Sequence, residues 1–161
     1  MLGERQMTAP TADDMRGTVL VVDDTADNLM LTVLSLKRAG IRCLKASRGW
    51  QCLQVVKNHR VDLILLDLIM PRMDGWATLA ALRDDPATRD IAVVMFTCDD
   101  RLATRERAMR EGAVDFLPRP VARERLLACV HTYLNAVARA RAIEAIDREL
   151  DAVLSRDPQP S

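Results

Sequence analysis

The chain has 161 residues, 49% of them hydrophobic and 29% charged, with 23 basic and 23 acidic side chains and no formal net charge. That length suits one domain with some chain to spare, and the balanced charge leaves no electrostatic footprint for nucleic acid or an anionic membrane surface. No apolar stretch reaches the ~20 residues of a bilayer span and the first residues carry no secretory-leader pattern, so a cytoplasmic protein is expected.

Residues 1–17 lack periodicity and read as a mobile tail. A continuous apolar run at about 18–23 reads as a buried strand. A helix follows over about 26–39, with Leu29, Val33 and Leu36 at helical spacing and Gly40 closing it. Residues 41–46 alternate as an edge strand would. Helix two is expected over about 49–58, with Trp50, Leu53 and Val56 on one side. Strand three runs from Val61 to Asp67, and a loop dense in breakers, Leu68 to Gly75, leads to helix three at about 76–83. Strand four is Ile91 to Phe96, ending in Thr97, and helix four spans about 101–111, closed by Gly112. Strand five is Val114 to Leu117, followed by Pro118-Arg119-Pro120. Strands alternating with helices of about ten residues predict an α/β fold, a doubly wound parallel sheet with helices on both faces.

In such a sheet, side chains at the carboxyl ends of the strands meet in one crevice. Asp23 and Asp24 end the first strand and Asp67 ends the third. Three carboxylates together repel unless a cation joins them, and oxygen-only ligands completed by water and phosphate suit Mg²⁺. The competing reading is that these acids cap the helices that follow. Cys43, Cys52, Cys98 and Cys129 form no CxxC pair. They read as reduced thiols, with Cys43, Cys98 and Cys129 inside elements as buried small hydrophobes.

Val22-Asp23-Asp24, Asp67 with Met70-Pro71 and Met73-Asp74-Gly75, Thr97, and Gly112-Ala113 leading to Phe116 and Arg119-Pro120 make the chain resemble the receiver domain of two-component response regulators over residues 18–135. The resemblance implies a flavodoxin-like five-stranded sheet in the order 2-1-3-4-5. It implies phosphoryl transfer to Asp67 from a sensor histidine kinase or a histidine phosphotransfer protein, and an output through a downstream protein target. It further implies Mg²⁺ held by Asp24, Asp67 and the backbone carbonyl of Ile69, with Asp23 acting through water. Thr97 matches the hydroxyl that donates to the phosphoryl group, and Phe116 the aromatic that turns inward on activation. Arg119 stands where the family has lysine, and Arg119-Pro120 matches the family's cis peptide. A planar fork does not occupy the space of a compact ammonium, so an atypical receiver serving as a docking or dimerisation module is the alternative. A phosphatase with a carboxylate nucleophile typically needs a second acid two residues on, where Ile69 stands. Ile69 and Asp99 flank the approach to Asp67, and an apolar side chain at 69 is expected to slow attack by water.

Neither glycine nor proline appears from Val121 until Pro158. Leu127, Val130, Leu134 and Val137 form one apolar face, expected to pack on the sheet. Ile143, Ile146, Leu150 and Val153 form a second, pointing away if the helix is straight. Residues 136–161 are therefore expected to be an extension that forms a homodimer or leads to an output domain; a bend near 132–135 that folds the second stripe onto its own domain is the other arrangement.

Overall fold

The computed structural model describes residues 17–156. The tail expected over 1–17 lies outside it except for Gly17, as do residues 157–161. The described elements are β1 (Thr18–Val22), α1 (Ala26–Arg38), β2 (Arg42–Ala46), α2 (Gly49–Asn58), β3 (Leu63–Leu66), α3 (Gly75–Asp84), β4 (Ala92–Thr97), α4 (Leu102–Arg110), β5 (Asp115–Pro118) and α5 (Arg123–Leu154). All five strands are parallel, in the order β2-β1-β3-β4-β5. The fold is the flavodoxin-like one expected from sequence.

Strand side chains alternate between two cores. Val19, Val21, Leu63, Leu65, Val94 and Phe96 face α1 and α5, meeting Leu29, Val33 and Leu36 from the first and Leu126, Val130 and Leu134 from the second. Leu20, Val22, Ile64, Leu66, Val93 and Met95 face the other way, onto Cys52 of α2, Leu79 and Leu82 of α3 and Ala108 of α4. Burial on both faces is why β1 and β3 read as unbroken apolar runs. β2, at the sheet's edge, carries exposed Arg42 and Lys45.

Close packing sets the facing of α2, and two expectations about the cysteines need correction. Trp50 is exposed, Leu53 and Val56 are half-buried, and α2 buries Gly49 and Cys52. The cause is the close approach of α2 to the α3 region: a Cβ on Gly49 would lie 2.4 Å from Thr78 Oγ1 and 2.9 Å from the carbonyl oxygen of Met73. Cys98 is exposed, because β4 ends at Thr97 and the chain turns outward. Cys43 and Cys129 are only partly buried, and the fully buried thiol is Cys52, whose pKa burial pushes up to about 12.

α5 is a single helix of 32 residues, unbroken through 132–135. Its inner face is Leu126, Val130 and Leu134, with Leu127 and Val137 only partly buried. Beyond the sheet, Arg141 reaches back to buried Asp62. The second stripe points outward: Ile143, Ile146, Leu150 and Val153 are 59%, 62%, 54% and 63% exposed. Arg148 donates to the main-chain oxygen of Glu144 at 3.3 Å rather than to its carboxylate.

Candidate functional site

The parallel register delivers the acidic residues to one edge of the sheet. Asp23 N–H donates to the Ala46 carbonyl at 3.1 Å and Asp67 N–H to the Val22 carbonyl at 3.0 Å, so the ends of β2, β1 and β3 are laced together. Asp23, Asp24 and Asp67 each present a carboxylate oxygen within 4.8 Å of the others. Asp67 is 9% exposed and Asp23 has no exposed surface; Asp24 is half-buried. This is the cluster the strand ends predict.

Burial is the largest influence on Asp67 and pushes its pKa up, Arg119 lowers it, and Asp23 raises it again, as does Asp24 more weakly; an N–H from Ile69 opposes them. The net direction is upward. Its carboxylate is thus a poorly solvated anion among like charges, a good nucleophile and a good metal ligand.

The loop after β3 is shaped by close packing. Gly75 N–H donates to the Leu68 carbonyl at 2.8 Å, and a Cβ on Gly75 would lie 2.4 Å from the carbonyl oxygen of Asp67. Only glycine fits there. Asp74 caps α3 through the Ala77 N–H at 2.8 Å, so that acid serves the helix rather than the cluster. Ile69 stands over the loop, 68% exposed, while Met70 is buried beneath it.

Arg119 departs most from the sequence-based picture. Its Nη1 lies 2.5 Å from Asp23 Oδ2, its Nη2 donates to the Phe96 carbonyl at 3.0 Å, and its Cζ sits 4.1 Å from the centroid of the Phe96 ring. The pair with Asp23 is a charge contact without hydrogen-bond alignment, so Asp23 Oδ2 and Arg119 Nε are both buried without a hydrogen-bond partner. A buried unsatisfied donor costs about 1–3 kcal/mol. The other oxygen of Asp23 accepts from the Thr25 N–H at 2.9 Å. Spacing along the chain carries no sign of this pair, which joins the ends of β1 and β5 across two intervening strands.

Thr97 is fully buried at the end of β4. Its carbonyl accepts from the Arg119 N–H at 2.8 Å, and its Oγ1 meets the Asp99 N–H at 3.4 Å. Phe116 is buried among the residues facing α4, 3% exposed, with the Arg105 guanidinium 5.7 Å from its ring. Asp99 is bound by Arg101 through both Nε and Nη2 at 2.9 and 2.7 Å, and by Thr104 Oγ1 at 3.0 Å. These donors, Arg101 foremost, hold its carboxyl well below the usual range. Arg119-Pro120 is a cis peptide.

The donor set fits a hard divalent cation. Its ligands are all oxygens, the three carboxylates converge, and one buried carboxylate oxygen lacks a hydrogen-bond partner. The ion pair to Arg119 already engages that oxygen.

Residues 19–131 match the family model described as the response regulator receiver domain. The chain belongs to that family, a class of signalling domains in two-component systems. It is 37% identical over 107 residues to response regulator PleD of Caulobacter vibrioides, a match covering 66% of this chain and 24% of that protein. It is 29% identical to protein PilH of Pseudomonas aeruginosa over 116 residues, 72% of this chain and 96% of the relative. Among solved structures, the chemotaxis protein CheY4 of Vibrio cholerae superposes with a TM-score of 0.69 at 26% identity, over 73% of this chain and 98% of that one. The amino-terminal domain of a response regulator receiver protein from Methanoculleus marisnigri is 32% identical, with a TM-score of 0.61 over 88% of this chain and 98% of that one. The chain spans about a quarter of the length of PleD and of a probable cyclic di-GMP phosphodiesterase of Vibrio cholerae that it also resembles. Among the described residues no helix is long and apolar enough to cross a membrane.

Proposed function

We propose that residues 18–135 are a phosphorylation switch in which Asp67 accepts a phosphoryl group from a histidine kinase or a histidine phosphotransfer protein. The observation that carries this reading is the convergence of Asp23, Asp24 and Asp67 at the carboxyl ends of β1 and β3. A carboxylate oxygen of Asp67 attacks phosphorus, the O–P bond forms, and the donor imidazole leaves with the electron pair of the broken N–P bond. Asp24, Asp67 and the Ile69 carbonyl would hold Mg²⁺, with Asp23 acting through a bound water. The bound ion supplies charge neutralisation for the phosphoryl oxygens. Thr97 donates its hydroxyl to one of those oxygens, and Arg119 pairs with another.

The output is a protein contact. Thr97 moves toward the phosphoryl group, and the packing around Phe116 and α4 shifts between two populations. Phe116 is already buried beside Ala108 and Ala113, so the change at α4 is a repacking rather than a swing from solvent.

Residues 136–161 serve as an extension whose helical part, within α5 up to Leu154, is a dimerisation helix or a lead into an output domain. The outward apolar stripe supports pairing with a second copy, since about two exposed heptads of Ile, Ile, Leu and Val need covering. A second reading, a docking module with weak phosphorylation coupling, is favoured by the hold of Arg119 on Asp23. Intact-mass measurement after acetyl phosphate treatment separates the two. A switch gains one phosphoryl group with Mg²⁺ and none without it, whereas a docking module gains none in either case.

A further inference from the structure

β2 is an edge of the sheet, and part of its main chain faces away from β1. Ala46 turns its carbonyl inward, to the Asp23 N–H at 3.1 Å. Main-chain groups alternate sides along a strand, so those of Cys43 and Lys45 point outward. Side chains of the same chain close both ends of this outward row. The Cys43 thiol donates to the Ile41 carbonyl at 3.5 Å, and Gln51 Oε1 accepts the Ser47 N–H at 2.8 Å. Between them, the N–H and C=O of Cys43 and Lys45 have no main-chain partner among the described residues.

A recess of about 540 Å³ lies along this edge, from Lys45 to Ser47. Met30 and Val33 of α1 stand on one side of it, Gln54 and Val55 of α2 on the other. Those helices cover opposite faces of the sheet, so the recess straddles the open edge. Met30 is 63% exposed there, and its flexible thioether suits a wall that adapts to a ligand side chain. Among the described residues Lys45 is the charged member of the lining, and no acid joins it. A second cation, Lys37 of α1, stands close enough to Cys43 to oppose the rise that burial imposes on its thiol.

We infer that the outer edge of β2 is a docking site for an extended segment of a partner protein, which adds as a further strand and alternates acidic with β-branched residues. The outward groups of Cys43 and Lys45 supply main-chain hydrogen bonds, and the two walls select alternate side chains. Lys45 pairs in register with Val21, which faces α1. Acidic side chains of the added strand therefore fall on the α1 side, by Lys45 and Lys37, and β-branched ones on the α2 side, against Val55. A second copy of this chain is a poorer occupant. Two β2 edges paired antiparallel set lysines of the two copies against one another, and like charges across strands destabilise the pair. A lysine on an edge strand guards against such self-pairing.

The test is a nuclear magnetic resonance titration of the full chain with three synthetic heptapeptides. One alternates Glu and Val, one alternates Lys and Val, and one is the Glu-Val peptide with its amide nitrogens methylated. The Glu-Val peptide is expected to shift the Cys43 and Lys45 amide resonances and to slow their exchange with solvent. K45E is expected to bind it about tenfold more weakly. The Lys-Val and N-methylated peptides are expected to leave both amides unmoved. No binding of the Glu-Val peptide, or binding that spares those two amides, overturns the proposal. Equal binding of the Lys-Val peptide overturns the acidic partner, and equal binding of the N-methylated peptide overturns main-chain pairing. Slow exchange of both amides in the chain alone gives the edge another occupant: a second copy if protection grows with protein concentration, another segment of the same chain if it does not. Either result overturns the partner segment.

Discussion

Arg141, on α5 beyond the end of the sheet, forms an ion pair with Asp62 at the foot of β3, across 79 positions of sequence. Asp62 is almost fully buried, and its other oxygen accepts the Thr18 N–H at 2.7 Å. A more distant Arg60 guanidinium stands at 3.9 Å. One carboxylate thus fixes both the start of β1 and the point where α5 leaves the domain. Gly17, with φ of 76°, lets the chain pass beneath Leu134, whose Cδ2 would lie 2.8 Å from a Cβ there.

Asp62→Ala is expected to lower stability by about 2–4 kcal/mol, since it orphans the Thr18 N–H and leaves Arg141 unpaired. Arg141→Ala keeps the bond to Thr18 and is expected to cost about 1 kcal/mol. Urea denaturation measures both. Hydrogen exchange separates them from a general loss of stability: amides of 136–154 should exchange faster in Arg141→Ala while β1 stays protected. Uniform protection of α5 in that variant would show that Arg141 does not anchor the extension.

Asp67 gives a pH signature. Burial, Asp23 and Asp24 raise its folded pKa despite Arg119, so the folded, metal-free protein holds this proton more tightly than the unfolded chain. Stability from this group is therefore greatest below the unfolded carboxylate pKa of about 3.9 and is lost as pH rises through the folded value. Asp67→Asn removes that loss. In chelator at neutral pH it is expected to melt above wild type, by a margin that shrinks toward pH 4. Adding Mg²⁺ should stabilise wild type more than the variant. Parallel melting curves at all pH values would contradict this electrostatic picture.

The outward stripe on α5 predicts an oligomer. Light scattering of the full chain is expected to give a dimer, and the pair of changes Ile146→Asp and Leu150→Asp a monomer. Far-UV circular dichroism should fall slightly in that variant, because a short helix end without packing is marginal in water. Equal masses for the two proteins would remove the stripe from the interface.

Much of this was legible in the sequence for identifiable reasons. Unbroken apolar runs marked β1 and β3 because both faces of those strands are covered, and the acids just beyond them fell at the crevice of any parallel sheet. Gly75 sat in a visible breaker cluster, and its contact with the Asp67 carbonyl explains why. The exposure of Trp50 was not legible, because an apolar residue type says nothing of where a helix turns when Gly49 packs against Thr78. Cys98 misled because strand assignment fades at its last residue. The pairs Arg119 with Asp23 and Arg141 with Asp62 were invisible for a deeper reason: each joins distant segments that only the tertiary fold brings into contact. Local periodicity carries no such information.

The most direct measurement is peptide-level mass mapping of the chain after acetyl phosphate treatment, for wild type and Asp67→Asn, with Mg²⁺ and with chelator. A single phosphoryl group on the peptide containing Asp67, present only in wild type with Mg²⁺, is the predicted result. Phosphoryl on another residue, or equal labelling in chelator, would contradict the assignment of Asp67 as a metal-dependent acceptor.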